Sequence, residues 1–263
     1  MDTDVLFESA ESAEKTFKLL EKKGIVDNIR YFISPARPEG LDRESFVLLL
    51  PYVMRAGNES RIKAMIEREK ADKIMVRNLE ELGYLNTFES IPYIISDSCL
   101  YSFNDLSREA LRGLNVSEDT LPLELNFSEL KRRGCRGSVM VIYGRSPMMV
   151  SAQCTYKTAS GNCRKEEAGF FGHITDRKGV RFPVRAECGS CYNVIYNSVP
   201  LSLFKEVGDI EKLGPSALRL DFTTESPAEA ALIIERFLSD GLSEGSEKLI
   251  PSYTKGHFRK GVI

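Results

Sequence analysis

The chain has 263 residues, 36 Lys and Arg against 38 Asp and Glu, and a formal net charge of −2. Apolar residues make up 42 % and charged residues 28 %, the mixture of an ordinary globular protein, which excludes collagen-like, low-complexity and disordered classes. No apolar run approaches the roughly 18–20 residues of a membrane span, and the near-neutral balance argues against a protein that coats nucleic acid by charge alone.

In chain order, short apolar runs alternate with amphipathic stretches. Asp4–Phe7 reads as a strand, and Ser12–Lys23 as a helix with Phe17, Leu19 and Leu20 on one side and Gly24 as its stop. Strands are expected at Asn28–Ile33, Phe46–Val53, Lys73–Val76, Pro92–Ser96, Leu121–Leu125, Ser138–Tyr143 and Ala217–Phe222. Helices are expected at Glu59–Lys70, from Asn78 through Leu85, at Leu106–Leu114, Ser128–Arg133 and Pro227–Ser239, the last with proline in its first turn. Eight alternating βα units in about 250 residues point to a (β/α)8 TIM-like barrel. A weak internal echo supports repetition: Asn78 and Asn126 each follow a strand and could cap the next helix. An open doubly wound sheet is the alternative, and no dinucleotide fingerprint or phosphate loop supports it.

One region breaks this rhythm. Phe170–Ile174 and Val180–Val184, separated by Asp-Arg-Lys-Gly, predict a β-hairpin within an insertion after strand seven, spanning 144–200. Four of the six cysteines bracket it, as Cys154-x8-Cys163-x24-Cys188-x2-Cys191. The acidic amino terminus is neither a secretory signal nor a transit peptide, so a cytoplasmic location and reduced thiols are expected. Four thiolates converging above one barrel face would suit zinc or an iron–sulfur cluster, with Gly189 allowing the Cys-x2-Cys turn. Cys99 and Cys135 read as structural.

Longer motifs carry a family resemblance. Tyr143-Gly-Arg-Ser-Pro-Met-Met-Val-Ser-Ala-Gln-Cys154, Phe182-Pro-Val184 followed by Cys188 and Cys191, Tyr192 through Leu201, and Thr254-Lys-Gly-His-Phe-Arg-Lys-Gly-Val262 resemble the peptidase U32 family of collagenase-like proteases. Leu121–Asn126 and Leu218–Thr223 are similar to further family motifs. The likeness runs from about Phe46 to the carboxyl end and resembles the C-terminal barrel unit of long clostridial-type members, which implies further domains of a longer chain as partners.

The resemblance implies a barrel and two competing activities, a protease or hydrolase on the one hand and an oxygen-independent hydroxylase on the other. The hydroxylation factors act on RNA or ubiquinone and hold an iron–sulfur cluster through four cysteines. Cys154, Cys163, Cys188 and Cys191 match that ligand set, implying a 4Fe–4S cluster with zinc as the alternative, although the Cys-x2-Cys pair departs from the hydroxylation factors. The substrate would be RNA or a protein or peptide. A non-catalytic barrel that docks on a partner domain is the third possibility. Catalytic candidates at strand ends are Glu124, Asp221 and Arg145, with Tyr52, Arg77, Asn78, Asp97 and Asn126 as further contacts. Only His173 and His257 could serve as histidine bases, and neither belongs to a metalloprotease motif. The tail, 245–263, combines basic and aromatic residues from Lys255 to Lys260 and is the better candidate for nucleic-acid contact. Lys131-Arg132-Arg133 reads as a solvated helix end.

Overall fold

The computed structural model describes residues 1–55, 57–164, 169–240 and 249–261. The expected positions 165–168 of the insertion and 245–248, Val262 and Ile263 of the tail lie outside the described residues.

The first half runs β1 (Asp2–Phe7), α1 (Ala10–Lys22), β2 (Tyr31–Ser34), β3 (Phe46–Leu49), α2 (Glu59–Glu69), β4 (Lys73–Val76), α3 (Leu79–Leu85), β5 (Tyr93–Ser96), α4 (Asp105–Gly113), β6 (Val116–Thr120), α5 (Phe127–Arg133) and β7 (Ser138–Gly144). The insertion follows, with β8 (Pro147–Ser151), α6 (Thr155–Ser160), β9 (Phe170–Thr175), β10 (Arg181–Glu187) and β11 (Tyr192–Tyr196). The chain returns through β12 (Leu201–Ser202) and α7 (Val207–Glu211) to β13 (Ala217–Phe222) and α8 (Pro227–Asp240). Strands β1 to β7 and β13 pair in parallel and close on themselves through β6–β7, β7–β13 and β13–β1, giving the expected eight-stranded parallel barrel.

Alternation along the strands separates two cores. Val5, Phe7, Phe32, Leu48, Ile74 and Val76 face the helices, whereas Leu6, Ile33, Val47, Leu49, Met75 and Ile95 fill the barrel interior. Phe7 stacks between Phe32 and Phe222 at 5.0 and 5.1 Å. The two asparagines of the internal echo are caps: Asn78 Oδ1 accepts from Glu81 N–H at 2.8 Å, and Asn126 Oδ1 from Glu129 N–H at 3.0 Å.

The sixth strand differs from its expected position. It is Val116–Thr120, and Leu121–Leu125 is the loop after it. Its sequence, Val-Ser-Glu-Asp-Thr, looks too polar for a barrel strand because its acids serve ion pairs. Glu118 takes Arg30 at 3.0 Å, and Asp119 takes Arg133. Arg133 is therefore buried against Asp119 and Ser102 rather than solvated at a helix end.

The predicted hairpin exists as β9 and β10, within a larger unit. Four antiparallel strands in the order β8-β11-β10-β9 form a second sheet over the carboxyl end of the barrel. Strand β8 lacks an alternating signal because Met148, Met149 and Val150 are all exposed, and β11 lacks one because its residues are almost all buried.

Candidate functional site

The carboxyl ends of the barrel strands meet in a buried array of opposite charges. Glu8, just past β1, accepts Arg77 Nη1 and Nη2 at 3.0 and 2.5 Å. Arg77 Nε also donates to Asp97 Oδ2 at 3.1 Å, and its guanidinium lies 3.9 Å from the centre of the Tyr52 ring. From β13, Arg219 donates to Asp97 Oδ1 at 2.7 Å and holds Asp221 through two bonds of 2.7 and 2.9 Å. Arg185, from the second sheet, donates to the Glu8 carbonyl and pairs with Glu187. Tyr192 Oη accepts from Tyr52 N–H at 3.0 Å and fastens the sheet to the β3 end. The sheet is thus a lid, and the space beneath it is a cavity of about 70 Å³ lined by Glu8, Arg77, Arg185, Glu187 and Tyr192.

These pairings set the ionisation of the mouth. Burial pushes the Asp97 carboxyl up, but Arg219 and Arg77 outweigh it and hold the group at about 2. Burial wins at Asp221, which rises to about 6 against the opposing pull of Arg219. A carboxylate held bidentately by an arginine is committed to that partner and is a poor free base.

The catalytic candidates do not form one group. Asp221 sits in the mouth array, whereas Glu124 lies in the loop between β6 and α5, where its charge acts on the Tyr101 hydroxyl. Among the described residues, no hydrogen bond or ion pair joins Glu124 to Asp221. Arg145 follows β7 and clamps the roots of the lid. Its Nη1 donates to the Asn197 and Ser198 carbonyls at 3.0 and 2.5 Å, and its Nε to Thr224 Oγ1 at 2.9 Å. Of the further contacts, Tyr52, Arg77 and Asp97 belong to the mouth, while Asn78 and Asn126 work as helix caps.

The thiols fall on the lid. Cys154 caps α6, its Sγ accepting from Lys157 N–H at 3.4 Å. Cys188 and Cys191 occupy the turn between β10 and β11. The register Ser151↔Asn193 puts the Cys154 loop beside that turn, and Asn193 Nδ2 donates to the Gln153 carbonyl at 2.7 Å. Cys163 is exposed beyond α6. The left-handed residue of the turn is Cys191, with φ of 56°, and not Gly189. Gly189 instead leaves space that Arg61 fills: a Cβ there would fall 2.0 Å from Arg61 Nη1, which also donates to Ser190 Oγ at 3.2 Å, and the flexible arginine would have to move aside. Away from the lid, Cys99 donates to the Arg77 carbonyl at 3.1 Å, and burial pushes its thiol well up. Cys135 is buried against the Leu130 carbonyl. Cys154, Cys188 and Cys191 lie on adjoining turns of the lid while Cys163 stands beyond α6, and thiolates are donors of the kind that hold zinc or iron–sulfur clusters. Among the described residues, no three His, Cys, Asp or Glu side chains are drawn into a metal-holding group.

Behind the mouth, Glu81 is fully buried on α3, with Oε2 accepting Arg77 N–H at 2.8 Å and Oε1 unpartnered. Burial raises its carboxyl from 4.5 to about 8. Between those two values the folded state keeps a proton that the unfolded chain has released, so stability falls as pH rises through that window. Glu81→Gln is expected to flatten this slope, gaining up to about 4 kcal/mol relative to the parent at about pH 8 and little at about pH 5. Urea unfolding at the two pH values measures it, and an unchanged slope would refute the assignment.

Sequence reasoning missed Glu8 and Arg185, whereas Arg219 was expected as an ion-pair partner of the strand-end carboxylates and does hold Asp221. The one legible signal for Glu8 was position, since it lies immediately after a strongly apolar strand. It also missed a larger cavity of about 670 Å³ beside the lid, lined by Arg145, His173, Arg181, Thr223 and the start of α1. No helix among the described residues is long and apolar enough to cross a membrane.

No protein-family model matches the chain. No curated protein matches it either. Among solved structures, the chain is similar to the C-terminal domain of a candidate chitinase from Desulfitobacterium hafniense DCB-2, at 9 % identity and a TM-score of 0.42, covering 92 % of this chain and 99 % of that one.

Proposed function

We propose that this chain is a barrel unit of the peptidase U32 type that carries a thiolate-held iron–sulfur centre on its lid, as an enzyme of the hydroxylation-factor kind or the scaffold unit of one. The observation that carries this reading is the placement of Cys154, Cys188 and Cys191 on two adjoining turns at one end of the lid sheet. Cys163 would be the fourth ligand, and zinc is the alternative occupant. Side-chain rearrangement on binding is part of the proposal, because the thiols are not already gathered.

Each residue around the turns has a definable task. Asn193 ties the Cys154 loop to β11. Arg55 donates to the Cys191 carbonyl at 3.3 Å, and Arg61 holds Ser190, so the Cys-x2-Cys turn is anchored to the segment after β3. The lid excludes bulk water from the mouth array beneath it. A bound cluster supplies one-electron chemistry, while the protein supplies shelter and substrate contacts. A substrate of RNA or peptide type would have to bind beside the lid, since the 70 Å³ left under it admits little more than water. The peptidase alternative lacks an assembled carboxylate pair, because Asp221 is committed to Arg219 and Glu124 stands apart.

Anaerobic purification with iron, sulfide and zinc analysis tests the reading. About four iron atoms per chain and a visible charge-transfer absorbance are expected, with both lost in Cys154→Ala and Cys191→Ala. A colourless protein binding zinc through the same thiols would select the alternative. A metal-free protein that still has four titratable lid thiols after reconstitution would overturn both.

A further inference from the structure

We propose that the cavity of about 670 Å³ beside the lid is a binding site for a small organic phosphomonoester, a site independent of the thiols. Its volume is that of a small-molecule pocket, roughly 300–1,000 Å³. It opens between α1, the loop after β13, the root of the lid at Arg145, and the β9–β10 hairpin. In a (β/α)8 barrel this is the sector of the loops after barrel strands seven and eight, where the fold commonly receives phosphate.

The charges of the cavity differ from those of the mouth. Arg77, Arg185 and Arg219 are all neutralised by carboxylates. Arg145 and Arg181 have no carboxylate partner among the described residues. Arg145 is held rigidly by three neutral oxygens, which orients its guanidinium. Arg181 Nη2 donates to His173 Nδ1 at 3.0 Å, so the hairpin presents a guanidinium and an imidazole together. Thr223 also lines this space, and its buried Oγ1 has no hydrogen-bond partner. That hydroxyl is a donor in want of an acceptor.

The acids of the lining are hydrogen-bonded, Glu11 to a cation and Glu225 to neutral donors that fill its oxygens without neutralising its charge. Glu11 pairs with Lys15 at 2.5 Å. Glu225 accepts the Tyr143 hydroxyl at 2.9 Å and the Thr223 and Thr224 N–H groups at 2.8 and 3.1 Å. What remains free to act on a ligand is cationic or hydrogen-bond donating, and it comes from three separate elements. A planar carboxylate is satisfied by one guanidinium fork, whereas a tetrahedral dianion takes donors from several directions. Phe171, 42 % exposed on β9, adds an apolar wall for the organic part of the ligand.

Isothermal titration with inorganic phosphate, ribose 5-phosphate, adenosine monophosphate and a short single-stranded RNA without terminal phosphates tests the proposal. The organic monoesters are expected to bind, and rising salt to weaken them. Arg181→Gln, an exposed substitution, is expected to weaken monoester binding about tenfold or more, and Thr223→Val to weaken it less, with melting temperature and thiol-bound metal content unchanged in Arg181→Gln. Preference for inorganic phosphate over both organic esters would refute the organic ligand. Binding of the RNA alone, no monoester binding at millimolar concentration, or equal binding by Arg181→Gln would each overturn the site.

Discussion

Replacing Arg219 by methionine is expected to lower the unfolding free energy by about 3–5 kcal/mol, the usual consequence of removing one partner from a buried ion pair. Arg219 is 1 % exposed and is the largest of the fully buried side chains. It bridges Asp97 and Asp221 and also donates to Thr120 Oγ1 at 3.1 Å inside the barrel. Without it, two desolvated carboxylates face each other with only Arg77 left between them and solvent. The deficit should grow as pH rises, since protonation relieves the uncompensated charge. The double substitution Arg219→Met with Asp221→Asn should recover part of the loss, which separates charge from lost packing. Urea unfolding measures all three proteins, and an Arg219→Met protein with the parent's midpoint would show that the array contributes nothing to the fold.

Phe258→Ala is the second large effect, at about 3–5 kcal/mol for emptying a well-packed aromatic site. Phe258 is 3 % exposed and meets Phe127 edge to face at 5.9 Å, and its carbonyl accepts Phe127 N–H at 2.8 Å. The surrounding cations are tied down too. Lys255 pairs with Glu206 at 2.6 Å, and Arg259 with Asp209 at 3.0 Å. Residues 249–261 therefore act as a clasp across α5 and β12. Arg259→Gln, at an exposed pair, should cost less than about 1 kcal/mol. Thermal unfolding of the two variants gives the contrast, and similar melting temperatures would refute the clasp.

The barrel was legible because its outward-facing residues are apolar and its helices carry caps that can be seen in sequence. Asn78, Asn126 and Pro227 mark three helix starts without any structural help. What stayed hidden was paired charge. Strand β6 was displaced by a few residues because Glu118 and Asp119 look solvent-facing until Arg30 and Arg133 are seen opposite them. The mouth array was hidden for the same reason, since its members come from β1, β4, β5, β13 and the lid and no local spacing joins them. The Cys-x2-Cys turn was legible as a motif, but its left-handed residue was misplaced. Gly189 looked like the flexible point, whereas its missing side chain makes room for Arg61. Of the catalytic candidates, Asp221 and Arg145 were placed at strand ends with an ion-pairing or loop-orienting role as the simpler expectation, and the structure adds the particular partners, Arg219 for Asp221 and the roots of the lid for Arg145.

The lid leaves and rejoins the barrel at a single doorway. Leu201 lies directly opposite Gly144, and Ser202 opposite Tyr143. Gly144 has φ of 139°, and a Cβ there would meet the Asp221 carbonyl at 2.6 Å, so only glycine lets the chain turn out at that point. None of the eight parallel strand pairings passes through the inserted sheet. Opening or melting the lid would therefore break Arg185, Tyr192 and Arg145 contacts but no rung of the barrel. The hydrogen-bonded ring is accordingly closed without the lid, and hydrogen exchange is expected to protect the amides of the eight barrel strands longer than those of the inserted sheet.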